Sequence, residues 1–256
     1  MRSPVVTNAF QMPLLSTKSI PARERLIFAL DSETVDDAKR IVDRLGDSIS
    51  FYKIGLGLVL DPGYWELVSY ITKLNKKTFA DIKIFDVPEQ ARLVILQCLR
   101  QKVSFVTLHP EEKMIRAAVE ARGEHGLKLL CVTVLTSLDL EGVRSLGFQV
   151  DNVQELVVAR TRRFLELGCD GVISSGLEVP HLRREFGSNF LIVVPGVRSV
   201  PGTDDQVRVV SVEQAFENGA DYIVVGRPIR NAPDPHQAAE DIQRRITAVF
   251  ETNVNS

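Results

Sequence analysis

The chain has 256 residues, 45% hydrophobic and 25% charged, with a formal net charge of -2. A chain of this size buries about 75% of its unfolded surface and needs no disulfide or metal staple to fold. A pI of about 6.1 offers no basic field to a nucleic-acid backbone, and no apolar run approaches the roughly 20 residues of a membrane span.

The first 22 residues carry Arg2, Asn8 and Gln11 without a continuous apolar stretch. They predict an arm or short cap over one end of a domain, not a signal peptide. Residues 23–256 read as one catalytic domain with no linker or composition shift. Eight short apolar runs predict strands: Leu26–Leu30, Ser50–Ile54, Thr78–Lys83, Ser104–Leu108, Leu129–Val134, Gly171–Ser174, Leu191–Val194 and Tyr222–Val225. Their hydrophobicity is largely continuous, which marks strands covered on both faces. Helices are predicted over Val35–Leu45, Pro62–Leu74, Pro88–Gln101, Glu111–Glu124, Asn152–Leu167, Val179–Phe186, Val212–Asn218 and His236–Phe250. Pro62 and Pro88 stand just inside helix starts, and Gly168 and Gly219 just past helix ends. Eight such alternations predict a single (β/α)8 TIM barrel of the α/β class, with its active site at the carboxyl ends of the strands. Cys98, Cys131 and Cys169 are scattered without paired spacing, which predicts reduced core thiols and a cytoplasmic location.

Charge gathers where the first three predicted strands end. Asp31 follows the first, Lys53 closes Ser50-Phe51-Tyr52, and the third runs into Asp81-Ile82-Lys83-Ile84-Phe85-Asp86. In an extended strand residues two apart share a face, which predicts that Asp81 and Lys83 point together with α-carbons roughly 6.6 Å apart. Taken singly, each charge reads as a solvated loop residue. Both lysines, however, rise from apolar strands, and an unpaired buried ammonium is costly, so Asp31, Asp81 and Asp86 are the expected counter-charges. An alternating array of this kind suits proton transfer better than Schiff-base formation, which requires a neutral amine.

A second cluster follows the seventh and eighth strands: Pro195-Gly196-Val197-Arg198 with Gln206 further along, then Gly226-Arg227-Pro228-Ile229. Loops in these positions hold phosphate in many barrels. The glycines permit close backbone approach, and Arg227 offers a planar fork of donors. Gly202-Thr203-Asp204-Asp205 reads as a stretch able to fold over a ligand. Thr136 and Ser137 follow the fifth strand, where their hydroxyls either bond a heterocycle or cap the next helix. His109 reads as a wall residue, and the four histidines are too dispersed for a metal site. Tyr64 and Trp65 are expected to pack against the barrel exterior.

Between Leu26 and Ala239 the chain resembles the orotidine 5'-phosphate decarboxylase family. The matching segments are Ala29-Leu30-Asp31, Tyr52-Lys53-Ile54-Gly55, the run from Asp81 to Pro88, Val132-Thr133-Val134-Leu135-Thr136-Ser137, Pro195 to Arg198 with Asp205-Gln206, and Val225-Gly226-Arg227-Pro228-Ile229. The resemblance implies decarboxylation of orotidine monophosphate to uridine monophosphate in pyrimidine synthesis, with no cofactor and no metal. It gives Lys83 the role of proton donor and sets Asp81 beside the substrate carboxylate. Lys53 and Asp31 are implied to bind ribose hydroxyls, Thr136 and Ser137 to face the pyrimidine, and Arg227, Gly226 and Gln206 to grip phosphate, with Arg198 organising the closing loop. It also implies a homodimer in which Asp86 and Gln90 reach into the partner's site.

Two departures stand out. The family commonly continues Asp-Ile-Pro-Asn-Thr or Asp-Ile-Pro-Glu-Thr, whereas this chain has Asp86-Val87-Pro88-Glu89-Gln90, so Gln90 replaces a hydroxyl. After the fourth strand His109-Pro110-Glu111-Glu112 stands where His-Ala and a glycine pair are usual. Magnesium-dependent sugar-phosphate decarboxylases and synthases share the Asp-x-Lys-x-x-Asp run but typically carry a metal-binding glutamate where Lys53 stands. A nucleotide-binding module without catalysis would not require a proton-donating lysine between carboxylates.

Overall fold

The computed structural model describes residues 14–198 and 209–252. Residues 1–13 of the arm, the stretch from Gly202 to Asp205, and Gln206 lie outside the described residues. Eight parallel strands close into a barrel in sequence order: β1 (Leu26–Ala29), β2 (Phe51–Gly55), β3 (Lys77–Ile84), β4 (Phe105–Leu108), β5 (Lys128–Val132), β6 (Gly171–Ile173), β7 (Leu191–Pro195) and β8 (Tyr222–Val225). The chain therefore has the TIM-barrel fold that its alternation predicts. Helices surround it: α1 (Val35–Leu45), α2 (Tyr64–Lys73), α3 (Pro88–Arg100), α4 (Glu112–Arg122), α5 (Leu140–Ser145), α6 (Val153–Glu166), α7 (Val179–Phe186), α8 (Val212–Glu217), α9 (Arg227–Arg230) and α10 (Pro235–Thr252).

Local chemistry explains where several helices start. Thr34, Asn152 and Ser211 accept hydrogen bonds from backbone N–H groups three residues on, which satisfies donors that the first turn leaves open. Glu111 does the same for α4, accepting from Lys113 and Met114. The departure after His109 is therefore a helix cap. Two helices, α5 and α9, are not predicted from the sequence. Each spans fewer than two turns, too short to show a periodicity, and α5 contains Gly142. The fifth strand ends at Val132, two residues before its predicted end.

Side chains on alternate strand positions divide into two layers. An outer layer packs strands against helices. The barrel interior is filled by Ile27, Ala29, Phe51, Phe79, Phe105, Leu130, Val193, Tyr222 and Val224. Phe51, Phe105 and Tyr222 meet edge to face, with ring centroids 4.9 to 6.0 Å apart, and plug the lower barrel. Above this plug the same inward rows turn polar: Ala29 gives way to Asp31, Phe51 to Lys53, Phe79 to Asp81, and Val224 to Gly226. The site thus rests on an aromatic floor.

The amino-terminal end of the barrel is closed differently. Asp221, fully buried just before β8, takes hydrogen bonds from Ser16, from Lys18 at 2.9 Å, from Arg183 at 2.8 Å and from the backbone N–H of Ile192 at 2.9 Å. Tyr64 is buried between α2 and the barrel, with Trp65 edge-on beside it at 4.9 Å. The cysteines are all free and buried. Their sequence spacing hides one contact, since the thiols of Cys131 and Cys169 lie 3.2 Å apart. Among the described residues no helix is long and apolar enough to cross a membrane.

Candidate active site

A cavity of about 490 Å³ opens at the carboxyl ends of the strands. Residues singled out from the sequence line it, among them Asp31, Lys53, Asp81, Lys83, Thr136, Ser137, Gly196, Arg198, Gly226 and Arg227. Apolar side chains of Phe79, Val132, Ile173 and Val224 form its deeper walls.

Four charges alternate along one side. Lys53 Nζ lies 3.4 Å from Asp31 Oδ1 and 3.3 Å from Asp81 Oδ2, and Lys83 Nζ lies 2.8 Å from Asp81 Oδ1. Asp81 is the hub. Its side chain is 14% exposed, against 13% for Lys53 and 31% for Lys83. Burial opposes ionisation of Asp81, but the charges of Lys53 and Lys83, with hydrogen bonds from Lys83 and Thr107, outweigh it and hold the carboxyl below the ordinary aspartate value. Asp81 is therefore a carboxylate at neutral pH, ready to repel any anion brought against it.

Lys83 reaches this position by an irregularity in β3. Its backbone has φ +48°, in the left-handed region, which costs an L residue roughly 1–2 kcal/mol. Pairing with β4 runs Ala80 to Val106 and then Ile84 to Leu108, so Asp81, Ile82 and Lys83 together oppose the single residue Thr107. Such a bulge re-aims a side chain. The sequence expectation that Asp81 and Lys83 meet holds in the geometry, but strict strand alternation is not the reason.

The opposite side of the cavity carries Gly196, Arg198, Gly226, Arg227 and Arg230. Gly196 has φ +73°, a conformation that side chains rarely adopt. At Gly226 a β-carbon would sit 3.1 Å from that of Ala29, so any side chain there would have to push β1 back by a few tenths of an ångström. Arg227 and Arg230 share the short α9 that follows. The Arg198 backbone N–H donates to the Val210 carbonyl at 3.0 Å, which joins the two ends of the loop after β7. Thr136 and Ser137 lie in the loop beyond β5 and face the same space.

Asp86 and Gln90 are not in this cavity. Both are exposed, Asp86 accepts a hydrogen bond from the Val87 backbone N–H at 2.7 Å, and Gln90 sits in the first turn of α3. His109 is a partly buried wall residue beside Phe85, with ring centroids 5.6 Å apart. Burial, Lys83 and Arg160 together push its pKa below the usual histidine value. Among the described residues no three His, Cys, Asp or Glu side chains gather closely enough to hold a metal ion.

Two residues with a place in the site escape the sequence reading. Arg230 lines the cavity and its guanidinium donates to the Asp31 carbonyl. Its position three residues after Arg227 was the available signal. Thr107 is fully buried, donates to Asp81 Oδ1 at 3.0 Å and accepts from the Lys83 backbone N–H at 2.9 Å. It follows Phe105 at the inward spacing of β4, so a polar residue in an inward row was the signal there.

Comparison with known proteins agrees with this geometry. Residues 24–242 match the family model described as "Orotidine 5'-phosphate decarboxylase / HUMPS family". The orotidine 5'-phosphate decarboxylase of Methylococcus capsulatus is 52% identical over 238 residues, covering 92% of this chain and 97% of that one. That of Nitrobacter winogradskyi is 43% identical over 226 residues, covering 88% and 93%. The crystal structure of orotidine 5'-phosphate decarboxylase from Lactobacillus acidophilus superposes with a TM-score of 0.77 at 31% identity, covering 87% of this chain and 99% of that chain. With a barrel, a charged array and relatives of this similarity, the chain belongs to the orotidine 5'-phosphate decarboxylase / HUMPS family.

Proposed function

We propose that the chain decarboxylates orotidine 5'-phosphate to uridine 5'-phosphate, a step of pyrimidine nucleotide synthesis, in the cytoplasm. The observation that carries this reading is Asp81 held between two ammonium groups, 2.8 and 3.3 Å away, in a cavity whose far side presents Arg227 and Gly226. Names shared by the relatives support the substrate.

In this reading the phosphate is gripped by Arg227, by the backbone at Gly226 and by Gln206, with Arg198 ordering the loop after β7. Asp31 and Lys53 take the ribose hydroxyls, and Thr136 and Ser137 bond the pyrimidine. These contacts press the ring's carboxylate toward Asp81, and two anions in an apolar pocket repel. Breaking the carbon–carbon bond releases carbon dioxide and leaves its electron pair on the ring carbon. The Lys83 ammonium stabilises that carbanion and then transfers a proton to it, yielding uridine monophosphate and a neutral amine that regains its proton from water. Remote phosphate binding supplies the energy that holds the two carboxylates together.

The same reading places Asp86 and Gln90 at a neighbouring site in a homodimer. Phe85 and Val87, 70% and 60% exposed on either side of Asp86, are apolar surface of the kind an interface covers. Sedimentation of the purified chain should give a dimer, and a monomer that is fully active would remove this part of the reading.

The test is an ultraviolet assay of orotidine monophosphate consumption, with and without chelator, on the unsubstituted chain and on Lys83→Ala. Turnover that survives chelator and disappears in the variant is expected. Turnover that requires magnesium would point instead to sugar-phosphate chemistry.

A further inference from the structure

We infer that Thr107 is a positioning residue for proton delivery: its one hydroxyl holds the Lys83 backbone in its left-handed turn and fixes the Asp81 carboxylate that Lys83 pairs with. This rests on the function proposed above and adds a residue that touches neither substrate nor any reacting atom.

Between the pairs Ala80–Val106 and Ile84–Leu108, three residues of β3 face one residue of β4, so β4 has too few backbone groups to serve the bulge. A buried N–H without a partner is costly, and the Lys83 N–H sits at this gap. The Thr107 hydroxyl fills it at 2.9 Å. The same oxygen carries a proton of its own, which it donates to Asp81 Oδ1 at 3.0 Å. That carboxylate oxygen is also the acceptor of Lys83 Nζ at 2.8 Å. Backbone, hydroxyl, carboxylate and ammonium therefore form a closed ring that begins and ends on Lys83. A valine has the shape of threonine but can close neither link; a serine can close both.

The ring decides where the ammonium points. With φ at +48° the Lys83 backbone is in a conformation that relaxes if its restraint is removed. Release of that restraint would let the Lys83 backbone leave its left-handed turn and lose the fixed 2.8 Å spacing of Nζ and Asp81, while leaving the glycines and arginines across the cavity in place. The expected signature is a loss in the chemical step with little change in binding.

The experiment compares Thr107→Val, Thr107→Ala and Thr107→Ser. Losing a hydrogen bond to a charged group predicts a fall in kcat of about 10- to 100-fold for the valine and alanine variants, with KM changed less than about 3-fold. Thr107→Ser should recover kcat to within about 3-fold of the parent. The acid limb of the rate profile should move to higher pH in the valine and alanine variants, because Asp81 loses one of the donors that favour its ionised form. Lys53, Lys83 and Tyr64 also act on Asp81, and Asp31 lies on the far side of Lys53; all are unchanged in the three variants. Activity that follows side-chain volume, with valine spared and serine and alanine impaired together, would overturn the inference, as would a valine variant with the parent's kcat and pH profile. Amide hydrogen exchange at Lys83 provides a readout independent of turnover: slow in parent and serine, fast in valine and alanine. A parent inactive on orotidine monophosphate would overturn the proposed function while exchange still decided the role of Thr107, and slow exchange in the valine variant would overturn that role whatever the activity.

Discussion

The two ends of the barrel each carry an aspartate ringed by cations, and they are built to opposite ends. At the amino-terminal end Asp221 has no exposed surface, and both its oxygens are bonded: Oδ1 by Ser16 and Lys18, Oδ2 by Arg183, Lys18 and the Ile192 N–H. At the carboxyl end Asp81 also has two cationic neighbours, both ammonium groups, but one of its oxygens meets Lys53 only at 3.3 Å, and the whole array borders an open cavity. A saturated ion network holds elements together. A network with room beside it is available to a further charged group. Similar residue types suit stability at one end and, in the proposed function, reactivity at the other because their degree of burial differs.

Substitutions at the two ends should therefore part activity from stability. The largest effect is expected for Lys83→Ala. In the proposed mechanism it removes both the proton donor and a charge facing the developing carbanion, and should lower kcat by about 10⁴-fold or more. Its melting temperature should stay near that of the parent, because Lys83 is only partly covered; calorimetry beside the ultraviolet assay checks both. Asp221→Asn should do the reverse. It leaves Lys18 and Arg183 without their counter-charge, and is expected to cost about 3–5 kcal/mol in urea unfolding, while the folded fraction keeps the parent's kcat. A stable but inactive Asp221→Asn would break the comparison, since the lower network would then be coupled to the chemistry.

A smaller effect tests whether binding energy is used from a distance within the upper end. Arg227 lies across the cavity from the charged array, and Arg227→Ala should reduce kcat/KM by about 10²-fold, through loss of a charge-assisted grip on phosphate. Equal efficiency in variant and parent would mean that this side of the cavity does not help to bring the two carboxylates together.

How much of this was legible in advance differs from residue to residue. The barrel follows from eight apolar runs separated by helical segments, a pattern that sequence states directly because burial on both faces leaves little else for a strand to be. Inward alternation likewise places Asp31 above Ala29, Lys53 above Phe51 and Asp81 above Phe79, so three members of the array follow from counting in twos. Lys83 breaks that count. Its direction depends on a bulge that exists only because β4 pairs with β3 in a shifted register, and register is a property of two strands together. The inward row marks Thr107 as polar, but what its hydroxyl does depends on the same register, since it matters only beside that bulge.

The sequence by itself determined the fold class, the end of the barrel that bears charge, and the glycine at Gly196, each fixed by local burial, periodicity or backbone conformation. Tertiary structure alone decided that Lys83 reaches Asp81 through a bulge in β3, that Arg230 anchors on the Asp31 carbonyl, and that Asp86 stands outside the cavity of its own chain. These depend on distances between segments far apart in sequence, which are set by strand register and helix packing and leave no local trace in the residues themselves.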